Sequence, residues 1–457
     1  MEDEETESYR ITADEIRDIY KQEARKLSAE DKTQIVVQRI YQQYKGFSVI
    51  DEIRDMKIDG VSGGVSGIPP SMWEGEWSLE EEAQLSEVPR SHDSVWLFYK
   101  GKSIHLSFLS FGSEQELRRV CQNVYKHNFP GQLSEANGFK VNEMADGSRV
   151  VVLRPRFSES WAFFVRKFDV QNAALEQLIQ DDNAELPIGL IRYLVMGERI
   201  TAITGAQGSG KTTLLMAMVR YIPAILPIRV QEMSFELQLR KIYRDRNILS
   251  LRETETISGQ DGLDIQKKTD GSVNILGEVA TDPVAAWMVQ MAQVASLFTL
   301  FTHHAKTFRD LVYSLRNSLL KTGVFTNEKV AEQQVVSVIN FDIHLRRDAD
   351  GHRYIERITE CVPVEQEPAY PETFRHKTTT EEKMTAFMET MLEYFRRSTD
   401  RPLYVARNVI EYRDGRYVAV HPLSERSRKE IAACLAGPDQ AAFEAFLAVH
   451  WGDGDEA

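Results

Sequence analysis

From about residue 169 to residue 362 the chain alternates short apolar, β-branched runs with stretches whose apolar residues recur every three or four positions. Ile200–Thr204, Ile228–Val230, Val273–Leu276 and Leu300–Phe301 read as strands, and Thr213–Val219 suits a helix. That alternation predicts an α/β core with a largely parallel sheet. Ahead of it the pattern is mixed. Val95–Tyr99, Ile104–Phe111, Ser148–Leu153 and Trp161–Phe168 are strand-like, while Glu114–Tyr125 has helical spacing, so an α+β domain is expected before the core. Glycines and prolines between Asp59 and Pro70 mark turns. Nearer the start, residues 11–27 carry Ile11, Ile16, Tyr20 and Ala24 on one helical face, and Thr33–Tyr44 forms a second helical pattern. Beyond Pro371, Thr379 and Glu382 make a capping box opening a helix with Met384, Phe387, Met388, Met391, Leu392 and Phe395 in a stripe. Such a stripe either offers a face to a partner or, as is more usual, packs on the body of the protein.

Composition narrows the class without choosing a function. With 457 residues, two or three domains are expected, and the apolar and charged fractions, 42% and 27%, are those of an ordinary globular protein. The net charge of −14 argues against a non-specific nucleic-acid clamp. The acidic start, Met1 to Glu5, has neither the basic nor the apolar segment of a signal peptide. No stretch approaches 18 uninterrupted apolar residues, so action at a membrane is expected through partners. Cys121, Cys361 and Cys434 lie far apart, which excludes a disulfide framework and a cysteine zinc site and fits a reducing cytoplasm.

The chemistry begins at Gly205-Ala206-Gln207-Gly208-Ser209-Gly210-Lys211-Thr212, the G-x-x-x-x-G-K-T pattern of a Walker A loop, between a predicted strand and a predicted helix starting near Thr213. Its glycines let backbone N–H groups curl around a phosphate, and the N-terminus of the helix adds partial positive charge. Lys211 is expected on the β- and γ-phosphates and the Thr212 hydroxyl on Mg²⁺, which predicts a nucleoside triphosphate as ligand. Three further elements follow: Glu232 and Glu236 after one strand, Gly277-Glu278 after another, and His303-His304 after a third. Glu278 is the expected carboxylate for the water shell of Mg²⁺ and for the attacking water.

In that order the pieces resemble the secretion ATPases of type II and type IV systems, most closely the CpaF-type motors of Tad/Flp pilus assembly. The matching segments are Gly205–Thr212, the acidic box Glu232–Leu237, Gly277-Glu278-Val279 and the histidine box Phe301–Ala305, across roughly residues 90–362. Val335–Ile343 and Arg357–Glu360 look like the closing strands of that family. Asp146–Arg149 and Phe164–Phe168 look like its N-terminal-domain and linker motifs. Two positions depart from the pattern: Met233 stands in the acidic box where aspartate is usual, and Ala280 where arginine is common.

The resemblance implies a P-loop, RecA-like ATPase core at 169–365 behind a smaller α+β domain at 46–168, with helical extensions at 1–45 and 366–457. It implies Lys211 and Thr212 on phosphate and Mg²⁺, Glu278 and Glu236 as the acting carboxylates with Glu232 behind them, and His304 as sensor of the γ-phosphate. Arg149 and Arg166 would bring cations from the N-terminal domain to the nucleotide. The implied protein is a cytoplasmic homo-oligomeric ring, a hexamer, that hydrolyses ATP with Mg²⁺. It would work through an inner-membrane platform or channel protein of a pilus, secretion or conjugation machine, and nucleic acid is not an expected partner. Two other readings stay open: a DNA translocase or helicase-type motor, and an ATP-binding scaffold with negligible hydrolysis.

Overall fold

The computed structural model describes residues 9–23, 26–72, 88–128, 130–168, 174–254, 257–294, 296–364, 376–399 and 402–452. The chain divides into two compact units, Met1–Gln171 and Asn172–Ala457. The acidic start and Pro371 lie outside the described residues.

In the first unit, β1 (Tyr9–Ile11) precedes α1 (Ala13–Glu23), α2 (Ala29–Tyr44) and the short α3 (Asp51–Asp55). There follow β2 (Gly60–Gly63), β3 (Val95–Tyr99), β4 (Lys102–Leu106), α4 (Glu114–Val124), β5 (Phe139–Glu143), β6 (Arg149–Leu153) and β7 (Ala162–Arg166). The strands form a 7-stranded sheet in the order β1-β4-β3-β2-β7-β6-β5, antiparallel except where β1 meets β4. Alternate residues Val150, Val152, Phe163 and Val165 turn to one face, where they share a core with Leu117, Val120, Cys121 and Val124 of α4. The strand expected through Phe111 stops at Leu106, because Leu109 N–H bonds back to the Leu106 carbonyl and the chain turns. Tyr9–Ile11 adds a strand ahead of the helical N-terminal segment, a β-pairing too short to read from periodicity.

The second unit opens with α5 (Leu175–Leu178) and α6 (Glu185–Met196), then β8 (Thr201–Gly205) and α7 (Lys211–Met218). Next come β9 (Ile228–Glu232), α8 (Leu239–Ile242), β10 (Ile248–Arg252), α9 (Gly259–Gln266) and β11 (Val273–Leu276). After them run α10 (Asp282–Val294), β12 (Phe298–His303), α11 (Phe308–Lys321), α12 (Glu328–Val338), β13 (Phe341–Arg347) and β14 (Arg353–Pro363). The tail holds α13 (Thr380–Thr399), β15 (Tyr404–Arg413), β16 (Arg416–Ala419), α14 (Glu425–Cys434) and α15 (Gly437–Trp451). All these strands belong to a 9-stranded sheet ordered β10-β9-β11-β12-β8-β13-β14-β15-β16. It is parallel from β10 to β13 and antiparallel beyond. With the Walker A loop rising from the central strand β8 into α7, this is a P-loop, RecA-like α/β core behind a smaller α+β unit.

Parallel strands covered by helices on both faces must be apolar on both, which is why Ile203, Val230, Ile275, Leu300 and Ile343 on one face, and Ala202, Leu276 and Phe301 on the other, are all buried. Helix starts follow side-chain caps: Thr307 with Asp310 closes a capping box on α11, Ser258 with Asp261 one on α9, and Asn327 accepts from Val330 N–H at α12. The last of these corrects the strand expected from Val335. Val335–Val338 ends α12, with Ala331, Val335 and Val336 on its buried face, and the strand starts only at Phe341. The tail is helical over α13, α14 and α15, and it also extends the sheet by β15 and β16. In α13, Ala386 is buried while Met384, Phe387, Met388 and Leu392 are exposed, so among the described residues these four do not pack into the body.

Candidate nucleotide site

The Walker A loop owes its shape to three glycines at positive φ: Gly205 (142°), Gly208 (76°) and Gly210 (99°). Gly205 also runs close beneath its neighbour. A Cβ there would lie 2.3 Å from the Leu345 carbonyl oxygen of β13, so any other residue would push the two strands apart. Gly210 is the left-handed cap of α7, and the first residues of that helix are Lys211, Thr212 and Thr213. Ala206, Gln207 and Gly208 are exposed at the loop's crest, whereas Ser209 is buried and its hydroxyl has no hydrogen-bond partner.

Lys211 folds back over its own loop. It is 8% exposed, and its ammonium donates to the carbonyls of Gly205 (3.0 Å) and Ala206 (2.9 Å). The same ammonium lies 3.4 Å from His304 Nδ1, and His304 Nε2 lies 3.1 Å from Glu278 Oε1. Because an ammonium only donates, Nδ1 is the acceptor and Nε2–H the donor toward the carboxylate. Lys211, His304 and Glu278 thus form one chain of polar contacts along the carboxyl ends of three parallel strands, β8, β12 and β11. Ligands of open α/β sheets bind at that edge. The adjacent His303 is a structural residue: Nδ1 meets the Val279 carbonyl at 2.8 Å, Nε2 meets Ser314 Oγ at 2.9 Å, and burial holds its pKa below the ordinary value.

The carboxylates of the acidic box sit differently. Glu232, on the last turn of β9, is buried and accepts from Leu237 N–H at 2.8 Å, while its Oε1 has no hydrogen-bond partner. Burial pushes its pKa up to about 7. It packs beside Gly277, where a Cβ would stand 3.3 Å from Glu232 Cγ, so it borders the segment that presents Glu278. Glu236 is partly exposed and accepts from Ser234 Oγ at 3.2 Å. Met233 points outward. Arg149 and Arg166 belong to the first unit, where they stand opposite each other on β6 and β7 and so share one sheet face.

A second polar cluster lies under the loop, and sequence reasoning did not find it. Thr204, the last residue before Gly205, donates to Asp342 Oδ1 at 2.7 Å and sits 2.8 Å from His344 Nδ1. Glu356 lies 3.7 Å from His344 Nε2 and pairs with Arg346 and Arg357. Asp342 is fully buried, which drives its pKa up to about 7, and burial drives that of His344 down to about 4. The available signal was the polar alternation in Phe341-Asp342-Ile343-His344-Leu345, two titratable residues on one face of an otherwise apolar strand.

The donor set fits Mg²⁺ held through a nucleotide: Thr212 lies in the first turn of α7, Glu278 follows β11 by two residues, and oxygen ligands suit that ion. Among the described residues no three His, Cys, Asp or Glu side chains gather into a metal site of their own. A separate cavity of about 670 Å³, lined by Ile188, Arg192, Arg220 and Tyr221, contains none of these residues. Among the described residues no helix is long and apolar enough to cross a membrane.

No family model matches the sequence, and no curated protein matches it. Solved structures do. The Legionella pneumophila ATPase DotB is 14% identical with a TM-score of 0.46, over 75% of this chain and 86% of that one. The pilus retraction motor PilT with bound ADP is 14% identical with a TM-score of 0.47, over 77% and 89%. The VirB11 ATPase of the Brucella suis type IV secretion system is 16% identical with a TM-score of 0.35, over 67% and 93%.

Proposed function

We propose that this chain is a ring-forming ATPase that couples Mg²⁺-dependent ATP hydrolysis to pilus assembly, protein secretion or conjugation through a membrane partner. The observation that carries the reading is the contact chain Lys211–His304–Glu278, which links the phosphate-binding loop to the carboxylate placed for an attacking water. Lys211 exchanges its two loop carbonyls for phosphate oxygens, and His304 follows that exchange because one of its nitrogens faces Lys211 and the other Glu278. Glu278 then orients water for in-line attack, with Glu236 as second carboxylate and Glu232 bracing the segment behind it. Thr212 and, through water, Glu278 would hold Mg²⁺, which would supply charge neutralisation to the phosphates. Such a site works by positioning and charge stabilisation rather than by covalent chemistry.

The finer parts of the reading rest on the ordered motifs. We assign Arg149 and Arg166 to the nucleotide, the working parts to residues 46–168 and 169–365, the assembly to a hexamer of CpaF-like type, and the location to the cytoplasmic face of the inner membrane.

The test is Mg²⁺-dependent ATPase activity of size-fractionated protein, wild type beside Lys211→Ala, with and without single-stranded and duplex DNA. Activity in a high-mass fraction, lost in the variant and indifferent to DNA, supports the proposal. Strong DNA stimulation favours a translocase. Absence of turnover in every fraction favours a nucleotide-gated scaffold, the reading that Met233 and Ala280 would then explain.

A further inference from the structure

The sheet order sets two flanks on the Walker A loop. Glu278 and His304 come from β11 and β12 on one side of β8, and the hairpin β13–β14 adjoins β8 on the other. That hairpin turns just past the loop. Leu345 pairs with Gly205, so the next inward-facing residue of β13, Arg347, is carried beyond the strand end to the level of the loop itself. Arg353 opens β14 directly opposite Arg347 in the ladder, and the two side chains therefore share one face. Both reach the loop. A Cβ on Gly208 would lie 3.5 Å from Arg347 Nη1, and a Cβ on Gly210 would lie 3.7 Å from Arg353 Cδ. Arg347 is also braced from the hairpin turn, where a Cβ on Gly351 would stand 3.9 Å from its Nη2. Between these two glycines sits the 1% exposed Ser209, whose hydroxyl has no hydrogen-bond partner.

One guanidinium at the crest of the candidate phosphate loop, with the stem of a second arginine beside it, is a strong recognition device. Guanidinium pairs with phosphate oxygens in a planar fork and stacks on aromatic rings, so it suits the diphosphate and the base of a nucleotide. We propose that Arg347 and Arg353 are nucleotide-binding residues that engage the diphosphate-and-base portion of the ligand, on the flank opposite Lys211, His304 and Glu278. They come from the same unit as the loop, so this contact is complete within one chain. The inference rests on the nucleotide reading above. It also separates the labour of the two flanks: the Lys211 side reads the terminal phosphate, and the arginine side holds nucleotide irrespective of phosphate number. Nucleoside diphosphate and triphosphate should depend on the arginines equally.

The experiment is calorimetric titration of the full chain with ADP and with ATP in Mg²⁺, comparing wild type, Arg347→Ala, Arg353→Ala and Arg347→Lys. Ligand-free thermal melting checks that each variant is folded. Arg347→Ala should raise both dissociation constants at least about tenfold, and Arg353→Ala at least about threefold, with the ADP-to-ATP ratio held within about twofold. Arg347→Lys keeps the charge and stem without the fork and should fall between wild type and Arg347→Ala, which also tests the site should the alanine variant fail to fold. ADP affinities within twofold of wild type in folded arginine variants would overturn the assignment while leaving the nucleotide reading intact. A wild type that binds neither nucleotide would overturn both.

Discussion

At the scale of the residue, the site is a division of roles among groups whose surroundings differ. Glu278 and His304 are partly open to solvent and in contact, whereas His303, next in the chain, is committed to Val279 and Ser314. Under the proposed assignment, Glu278→Gln removes the carboxylate charge assigned to the attacking water but keeps the shape, so ATP affinity should stay within about threefold while turnover falls at least ~10²-fold. Single-turnover measurements check this, and a matching fall in affinity would move Glu278 from chemistry to binding. Asp342 and His344 make a prediction about pH. The Asp342 carboxyl holds its proton up to about pH 7 in the fold, whereas an unfolded aspartate loses it near pH ~4. Its stabilising contribution is therefore fully present below about pH 4 and fades as pH rises toward 7, and Glu232 acts in the same sense. His344, with its pKa lowered to about 4, works the other way: its contribution is present above about pH 6.5 and is lost as pH falls toward 4. Asp342→Asn should uncover the histidine, so the melting temperature should drop more steeply than wild type between about pH 6.5 and 4.5. Superimposable melting profiles would contradict this assignment.

At the scale of the element, the strands and helices that bear the site were readable because each carries its own signal. β8, β11 and β12 are mainly apolar or β-branched runs, β9 sets the β-branched Ile228 and Val230 among polar residues, and α7 follows a loop whose glycines announce its φ angles. The edge strands were not readable. β15 mixes Arg407, Asn408 and Glu411 with Val409 and Ile410, since a strand at the margin of a sheet need not be apolar on both faces. These strands still matter to the site's support. β14 carries Glu360, fully buried, which accepts hydrogen bonds from Ser424 N–H (2.9 Å) and from the Ser424 hydroxyl at the cap of α14. Ser424→Ala leaves one oxygen of that carboxylate without its hydroxyl donor, and denaturant unfolding should show a loss of about 1–3 kcal/mol. A change below about 0.3 kcal/mol would mean that the carboxylate finds water instead.

At the scale of the whole molecule, the chain holds two cores, one beneath a mainly antiparallel sheet and one around a mainly parallel sheet, and the loop, carboxylates and histidine of the proposed site lie in the second. The sequence by itself determined the parallel α/β core and the glycine-rich turn Gly205–Thr212 between its strand and helix, the segment we propose as the phosphate loop. Those features depend on neighbours a few positions apart, so local pattern suffices. Only the tertiary structure decided that His303 is committed to Val279 and Ser314, that Glu232 is buried while Glu236 is not, and that Asp342, His344, Arg347 and Arg353 gather at the loop. Those facts depend on which strands the sheet sets side by side, β9 with β11 and β8 with β12 and β13, and the register of β8 with β12 and β13 joins residues from about 100 to 150 positions apart along the chain. It is set by how whole buried faces pack, a quantity that no short window of sequence contains.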